Sequence, residues 1–207
     1  MKGIFITLEG CEGVGKSRQT EMLKEYLQKI GKDFYFTREP GGTAISEKIR
    51  NIILDKNNSE MTDECEALLY ASSRVQLIKE EILPRLQQGE LVLCDRYIDS
   101  SFAYQGYARG LGLEFVEKLN DYAIKNCMPD ITIFLDLPPM QAFKRKGGID
   151  TKDRLELSGM AFHEKVYDGY KKVAEKYSDR FMVIDASGER EQTHNKIIDA
   201  LKSRGVL

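Results

Sequence analysis

An eight-residue stretch near the start of the chain constrains the fold more than any other feature. It matches the pattern G-x-x-x-x-G-K-[ST], in which backbone N–H groups surround the phosphates of a nucleotide. Its glycines let the backbone approach the phosphate oxygens through conformations that side chains disfavour. Lys16 is expected to reach the β- and γ-phosphates, and the Ser17 hydroxyl is expected to bind Mg²⁺. The candidate nucleotide-binding residues are Gly10, Cys11, Glu12, Gly13, Val14, Gly15, Lys16 and Ser17.

The residues on either side of this loop provide the setting that the pattern requires. Ile4–Leu8 is a short apolar run that predicts a buried strand, and residues 17–30 carry apolar side chains at helical spacing. A nucleotide would then bind with its phosphates at the positive N-terminus of a helix. An ordinary glycine-rich turn between strand and helix is the less favoured alternative.

The size of the chain favours a single domain, and its charge balance disfavours a nucleic-acid-binding surface. With 207 residues, of which 42% are hydrophobic, residues 1–207 can bury one sizeable core. The 31 Lys and Arg residues nearly balance the 33 Asp and Glu residues, whereas a nucleic-acid-binding surface is normally basic. We therefore expect no nucleic-acid partner, although a local basic cluster could still bind small phosphorylated ligands.

The cysteines and the apolar segments favour a cytoplasmic location without membrane contact. No segment approaches the roughly 20 consecutive apolar residues of a membrane span, and the N-terminus does not resemble a signal peptide. The four cysteines lie far apart, without a C-x-x-C pair or neighbouring histidines. Free thiols are therefore expected, not disulfides or a zinc site.

Apolar runs alternate with helical patterns along the rest of the chain. Further strands are predicted at 34–36, 91–94, 131–135 and 181–184, and helices at about 45–54, 63–87, 100–107, 114–126, from 140, 155–177 and 190–203. Pro84 is expected to kink the second of these helices. Because the strands are apolar throughout, they predict an α/β fold with a five-stranded parallel sheet between two helical layers. Ligands of such a sheet bind at the carboxyl ends of its strands.

Two charged residues follow the third predicted strand. Asp95 stands where enzymes with this phosphate loop place a carboxylate that helps to hold Mg²⁺. Arg96 offers a planar fork of donors that suits a phosphate. A simple ion pair that ends the strand is the alternative interpretation.

Each of two other residue pairs has either a functional or a purely structural interpretation. Arg38 and Glu39 follow the second strand and face the same crevice, although the Pro-Gly-Gly turn after them would suffice to explain the sequence. Tyr70 and Arg74 are four residues apart on a predicted helix and could together contact a base. From their pattern alone, a core tyrosine and a surface arginine are favoured.

A run of cations surrounds a glycine pair at about 144–154. Gly147 and Gly148 lie between Lys144, Arg145 and Lys146 on one side and Lys152 and Arg154 on the other. The run could be an ordinary solvated surface. As a lid, it would close over the phosphates, exclude water and bring positive charge to the transferring group.

Four motifs in this order resemble those of the bacterial thymidylate kinases. They are Gly10–Ser17, Thr37–Thr43, Leu69–Arg74 and Asp95–Gly106, and the resemblance extends along nearly the whole chain. The resemblance implies a P-loop fold like that of nucleoside monophosphate kinases and a homodimer. It also implies phosphoryl transfer from ATP to dTMP in the presence of Mg²⁺, with Ser17 and Asp95 as metal-binding residues.

The resemblance also implies which side chains surround the base and sugar of dTMP. Arg74 would bond the thymine carbonyl, and Ser101 and Gln105 would lie near the edge of the base. Tyr104 would pack against the sugar and disfavour a 2′-hydroxyl group. Tyr70 replaces a phenylalanine that stacks on thymine in many relatives, and its hydroxyl group requires a partner.

The remaining implied roles concern the phosphates. Arg38 and Arg96 would hold the phosphate of dTMP, with Glu39 close to the reacting centre and Glu12 near the sugar and phosphate. Some relatives carry a catalytic arginine in the phosphate loop, where this chain has Gly13, and others carry it in the lid. The candidate catalytic residues are Lys16, Arg96, Glu12, Arg145 and Arg154, with Lys146 as a further lid cation.

Two other functions are compatible with the phosphate loop. One is a different small nucleoside or nucleotide kinase on the same scaffold. The other is a GTP-dependent switch protein, which the absence of an N-K-x-D guanine-reading motif disfavours.

Overall fold

The computed structural model describes residues 2–147, 154–155 and 158–207. Its five strands form one parallel sheet in the order β2–β3–β1–β4–β5, which confirms the predicted α/β architecture. Every strand extends one or two residues beyond its apolar run, because polar residues at the carboxyl end still pair with the neighbouring strand. The strands are β1 (Ile4–Gly10), β2 (Tyr35–Arg38), β3 (Leu91–Asp95), β4 (Ile131–Asp136) and β5 (Phe181–Asp185).

Helices cover both faces of this sheet. Within the described ranges, the α-helices are α1 (Lys16–Lys29), α2 (Ala44–Leu54), α3 (Asp63–Leu77), α4 (Leu83–Gln87), α5 (Ile98–Ser101), α6 (Leu113–Leu119), α7 (Asp121–Asn126), α8 (Pro139–Lys146), α9 (Met160–Lys176) and α10 (Arg190–Ser203). No helix in these ranges is long and apolar enough to cross a membrane.

Successive strand residues point into two separate apolar layers. In β1, Phe5 packs with the layer that contains Phe102 and Tyr170, whereas Ile6 and Leu8 pack with the layer beneath α1 and α10. Both layers exclude water, and burial of each large apolar side chain contributes about 1.5–3 kcal/mol. The continuous apolar runs in the sequence therefore reflect burial on both faces of the sheet.

The helix predicted at 63–87 has the predicted bounds but is not α-helical throughout. It is divided into α3, a π-helical turn at Ile78–Ile82, and α4. Pro84 lacks the N–H group that would bond to the carbonyl four residues earlier, and its ring would collide with that carbonyl. We attribute the wider turn before Pro84 to this conflict.

Two other helix predictions are also corrected. The segment predicted at 100–107 begins earlier, with α5, and continues as a π-helix at Phe102–Ala108. The helix predicted from 155 begins at Met160, because Gly159 has a φ of 79°, outside the helical range. At Gly169, α9 approaches the π-helix so closely that an added Cβ would lie 3.0 Å from the Ala103 carbonyl oxygen.

The strand register brings the predicted functional positions to one edge of the sheet. Asp95 of β3 pairs with Arg38 of β2 on one side and with Leu8 of β1 on the other. Glu9 and Gly10 extend β1 just beyond that level, and Asp136 ends β4. The loops that follow these strands consequently meet above the carboxyl edge.

Candidate active site

The phosphate loop connects the end of β1 to the start of α1, as predicted. Gly10, Gly13 and Gly15 have φ values of 154°, 77° and 94°, which side-chain-bearing residues rarely adopt. The first helical residue is Lys16, so the N-terminal N–H groups of α1 follow directly after the glycines. This arrangement provides an anion-binding surface.

Lys16 and Asp95 form an ion pair beneath this loop. Lys16 is 8% exposed, and burial lowers the pKa of its ammonium group. Asp95 and Ser17 line the same cavity, so their oxygen atoms face a common space. Two oxygen ligands of this kind fit Mg²⁺, which usually binds one or two protein oxygens together with substrate phosphates and water. Among the described residues, no group of three or more His, Cys, Asp and Glu side chains forms a self-sufficient metal site.

Cys11 lies inside the phosphate loop but is chemically quiet. It is 2% exposed, and burial raises the pKa of its thiol to about 12. The thiol therefore remains protonated at neutral pH, and protonated thiols are poor nucleophiles. All four cysteines are free thiols, as the sequence predicted.

Arg96 is held in an uncommon backbone conformation at the end of β3. Its φ is 65°, and it is the only positive-φ residue other than glycine in the described part of the chain. Its Nη1 group donates to the hydroxyl of Tyr170 at 3.1 Å and to that of Ser100 at 3.4 Å. Its guanidinium carbon lies 5.4 Å from the centroid of the Tyr104 ring. These contacts fix the guanidinium group within the site.

Glu9 is a site residue that the sequence interpretation missed. It is completely buried, and it accepts hydrogen bonds from the backbone N–H of Tyr97 at 2.7 Å and from the hydroxyls of Ser100 at 2.7 Å and Tyr170 at 2.8 Å. Burial and the nearby Asp99 raise its pKa to about 7. In the sequence, Glu9 stands out only as a single acidic residue between an apolar run and the phosphate loop. Tyr170, on α9, carries no comparable signal.

Arg38 ends β2 and Glu39 follows it, and their side chains have different partners. Arg38 donates through Nη1 to the Pro40 carbonyl at 3.0 Å and through Nη2 to Glu47 at 3.1 Å. Glu39 is 5% exposed, and burial raises the pKa of its carboxyl group to about 7 although the cation of Arg74 lowers it. Both residues line the same cavity, so they occupy the crevice that the functional interpretation required.

Arg74 is a buried residue, and the expectation of a surface arginine is wrong. It is 1% exposed, whereas Tyr70 is half-buried. Its Nε and Nη2 groups contact one oxygen of Glu39 at 2.8 and 2.6 Å, and its Nη1 group donates to Asn120 at 2.6 Å. Three of its five N–H groups are thus engaged, and two remain for other acceptors. Local sequence spacing could not predict the contact between Arg74 and Asn120, because the two residues are 46 positions apart.

A cavity of about 310 Å³ gathers most of the predicted acceptor-binding residues. This volume is at the lower end of the range for small-molecule sites. Its wall includes Arg38, Glu39, Tyr70, Arg74, Arg96, Tyr104 and Gln105, together with Glu12, Ser17 and Asp95 from the phosphate side. Ser101, which was predicted near the base, is buried and is not among the residues that line this cavity, whereas its neighbour Ser100 is. We call this space the acceptor cavity.

The predicted lid cations lie at three different places. Arg145 donates through Nη1 to the Ala186 carbonyl at 2.7 Å and lines a cavity with Gly13 and Gly15. Lys146 is 2.6 Å from the Glu12 carboxylate. Arg154 pairs with Glu66 beside the acceptor cavity. Gly148 and Lys152 lie outside the described residues.

The fold and the arrangement of the loops define a class of enzyme. A parallel sheet carries a phosphate loop after its central strand, and a second cavity lined by arginines lies beside that loop. This is the organisation of P-loop nucleoside monophosphate kinases.

Comparison with known proteins defines the family within that class. The family model for thymidylate kinase matches residues 8–197. A thymidylate kinase from Thermoanaerobacter sp. (strain X514) is 48% identical over 202 residues, which cover 98% of both chains. Thymidylate kinases from Finegoldia magna and Bacillus velezensis are 47% and 49% identical, covering 99% and 92% of this chain and 100% and 91% of theirs. The chain belongs to the thymidylate kinase family and is a transferase of the kinase type.

Proposed function

We propose that this chain transfers the γ-phosphoryl group of ATP to dTMP, producing dTDP and ADP, with the donor on the phosphate loop and the acceptor in the acceptor cavity. One observation carries this assignment of the two sites. Glu12, Ser17 and Arg96 line both the acceptor cavity and the neighbouring cavity above the phosphate loop. Two nucleotides bound on either side of these residues would have their phosphates adjacent.

Arg96 and Arg38 hold the phosphate of dTMP in this proposal. Arg96 is already oriented by Tyr170 and Ser100, so little conformational entropy is lost when a phosphate binds. Its planar fork can bind two phosphate oxygens at once. Glu39 lines the same cavity and pairs with Arg74, whose positive charge it offsets.

Side chains that line the acceptor cavity recognise the base of dTMP. Arg74 directs its remaining N–H groups to a thymine carbonyl, and Gln105 contacts the edge of the base. Tyr70 stacks on the ring of thymine, and Tyr104 packs against the sugar. These roles follow from the family resemblance and from the positions of the side chains around one cavity.

The donor phosphates accept hydrogen bonds from the backbone N–H groups of Gly10–Ser17. Lys16 exchanges its pairing with Asp95 for the β- and γ-phosphates of ATP. Ser17 and Asp95 would hold Mg²⁺, which neutralises charge on the phosphoryl oxygens when it is bound. Phosphoryl transfer requires mainly alignment and charge stabilisation, and these buried groups supply both.

We further propose a single kinase domain with a lid at about 144–154. Arg145 and Lys146 stand closest to the phosphate loop, since they line cavities with its residues. They are therefore the lid cations that we assign to the ATP side, while Arg154 belongs to the acceptor side. An arginine at the transferring phosphoryl group is worth about 10³–10⁵ in rate in related reactions.

The proposal also includes a cytoplasmic homodimer. Free thiols are typical of reducing compartments. Large apolar side chains on the neighbouring helices α2 and α3 are about half exposed, namely Ile45 at 50%, Ile52 at 48% and Leu68 at 50%. Such side chains are common where a second subunit packs. Light scattering of the purified protein should give a mass close to twice 23.6 kDa.

A substrate panel tests the assigned reaction. The purified chain is assayed with ATP and Mg²⁺ against dTMP, dCMP, AMP and thymidine, and dTMP is expected to give the highest kcat/KM by a wide margin. Equal or better phosphorylation of another acceptor would identify a different nucleoside or nucleotide kinase. GTP binding much tighter than ATP binding would instead support a GTP-dependent switch protein.

A further inference from the structure

Glu66 is a buried acid with an unusual set of partners. It lies on α3 and is 0% exposed, and the side-chain partners of its carboxylate among the described residues all come from outside that helix. Gln105 donates to its Oε1 at 2.8 Å, and Arg109 donates to Oε1 at 3.3 Å and to Oε2 at 3.1 Å. Arg154 donates to Oε2 as well. One carboxylate thus connects α3, the π-helix and the residue that ends the predicted lid.

The charge of Glu66 determines how the amide of Gln105 is turned. A carboxylate only accepts hydrogen bonds, so Gln105 must present its Nε2 group to Glu66. The Oε1 atom and the second N–H of the amide are then directed elsewhere in a fixed orientation. Because Gln105 is 1% exposed and lines the acceptor cavity, this orientation decides which donors and acceptors face a bound base.

Arg154 is bound on the same side of the site. Its Nε group donates to the Ile53 carbonyl at 3.0 Å, and its backbone N–H donates to the Leu54 carbonyl at 3.3 Å. These carbonyls belong to the last turn of α2, where a cation is favourable. The next residue, Leu155, lines the acceptor cavity.

We propose that Glu66 is a positioning residue that fixes the amide of Gln105 for base recognition and couples it to the docking of Arg154. The inference rests on the proposed function, since it assumes that dTMP occupies the acceptor cavity. Binding of the base to Gln105 then strengthens the network that holds Arg154. Docking of Arg154 in turn favours dTMP binding, because such coupling is reciprocal.

Removal of the negative charge of Glu66 should weaken the binding of Arg154 more than that of Arg109. Arg109 has a second acid, Asp63, at 3.3 Å, and its guanidinium carbon lies 4.5 Å from the centroid of the Phe162 ring. In the described part of the chain, the acidic partner of Arg154 is Glu66. Asp63 also provides a matched control, because it lies on α3 like Glu66, pairs with Arg109, and has a side chain that is 41% exposed.

The test compares Glu66→Gln with the control Asp63→Asn. In Glu66→Gln, KM for dTMP is expected to rise about tenfold, with a smaller change in KM for ATP and in kcat. Trypsin cleavage after Arg154 supplies a readout that does not depend on turnover. Saturating dTMP should slow this cleavage severalfold in the wild type and in Asp63→Asn, but not in Glu66→Gln. Thermal unfolding verifies that each variant is folded.

A second variant keeps the proposal testable if Glu66→Gln folds poorly. Arg154→Gln alters a side chain that is 10% exposed, and it should raise KM for dTMP without a comparable effect on KM for ATP. Combined with Glu66→Gln, it should add little, because contacting residues that act together are not additive. An unchanged KM in both variants would overturn the proposal. A raised KM with intact dTMP protection in Glu66→Gln would overturn the coupling to Arg154. If the wild type does not phosphorylate dTMP, the proposed function itself is wrong.

Discussion

Two nitrogen atoms of Arg74 contact a single oxygen atom of Glu39 in the interior of the site. Nε and Nη2 of the guanidinium lie 2.8 and 2.6 Å from Oε2 of Glu39, while Oε1 of Glu39 is buried without a hydrogen-bond partner among the described residues. The arginine is therefore oriented before any ligand arrives. Preorganisation of this kind improves affinity because less side-chain freedom is lost on binding.

Replacement of Arg74 separates its role in binding from its role in stability. Arg74→Ala should raise KM for dTMP at least tenfold with a smaller effect on kcat. It should also destabilise the protein by about 3 kcal/mol, because it leaves Glu39 buried without its cation. The double variant Arg74→Ala/Glu39→Gln should recover part of the stability but not the low KM. Steady-state kinetics and urea unfolding measure the two effects, and an unchanged KM would contradict the base contact.

Lys16 is expected to act on the chemical step. Lys16→Ala should lower kcat/KM by at least about a hundredfold, which corresponds to about 2.7 kcal/mol of transition-state stabilisation. Lys29→Ala, at the exposed end of the same helix, provides the control and should retain normal turnover. Near-normal activity of Lys16→Ala would disprove its contact with the phosphates.

Glu9 should make the stability of the protein depend on pH. Its pKa rises from 4.5 to about 7 in the folded protein, so the folded state binds more protons than the unfolded state between these values. The free energy of unfolding therefore falls as pH increases from about 4.5 to 7, with a slope of up to about 1.4 kcal/mol per pH unit from this group. Glu9→Gln should have a flatter profile over that range, with a residual slope from Glu39, whose pKa is also raised.

Urea unfolding at several pH values measures this difference. Glu21→Gln serves as the control, because the Glu21 side chain is 54% exposed. A profile for Glu9→Gln as steep as that of the control would show that the buried carboxyl does not titrate in this range.

Arg145 should affect the ATP half of the reaction. Arg145→Ala is expected to lower kcat/KM for ATP by about tenfold or more while KM for dTMP changes little, because its guanidinium lies beside the phosphate loop. The neighbouring Lys144→Ala, on the exposed end of α8, is the control. A selective rise in KM for dTMP would instead place Arg145 on the acceptor side.

Much of the fold could be predicted because its signals are local. The phosphate loop, the five apolar runs and the helix at 190–203 each occupy a continuous stretch, and their order determines a parallel sheet. The irregularity near Pro84 has a local signal, because a proline inside a helical pattern predicts a kink. The π-helix at Phe102–Ala108 and the late start of α9 could not be predicted, since the first packs closely against α9 at Gly169 and the second depends on the backbone conformation of Gly159.

The topology of the sheet predicts the candidate residues at the ends of the strands, whereas those on the helices follow only from the family resemblance. Asp95, Arg96 and Glu39 were found because parallel strands bring their carboxyl ends together. Glu66 and Asn120 were missed because each meets its partners across 39 to 88 residues of sequence. The burial of Arg74 was missed for the same reason, since its acidic partner lies 35 residues away.

The backbone at Arg96 has a consequence for attempts to improve this protein. A side chain at a φ of 65° costs on the order of 1 kcal/mol, and glycine would remove that strain. Glycine would also remove the guanidinium that Tyr170 and Ser100 hold in the site. Selection for heat resistance and selection for turnover therefore favour different residues at this position. A screen that rewards thermal tolerance alone would tend to discard the guanidinium that we propose for binding the phosphate of dTMP.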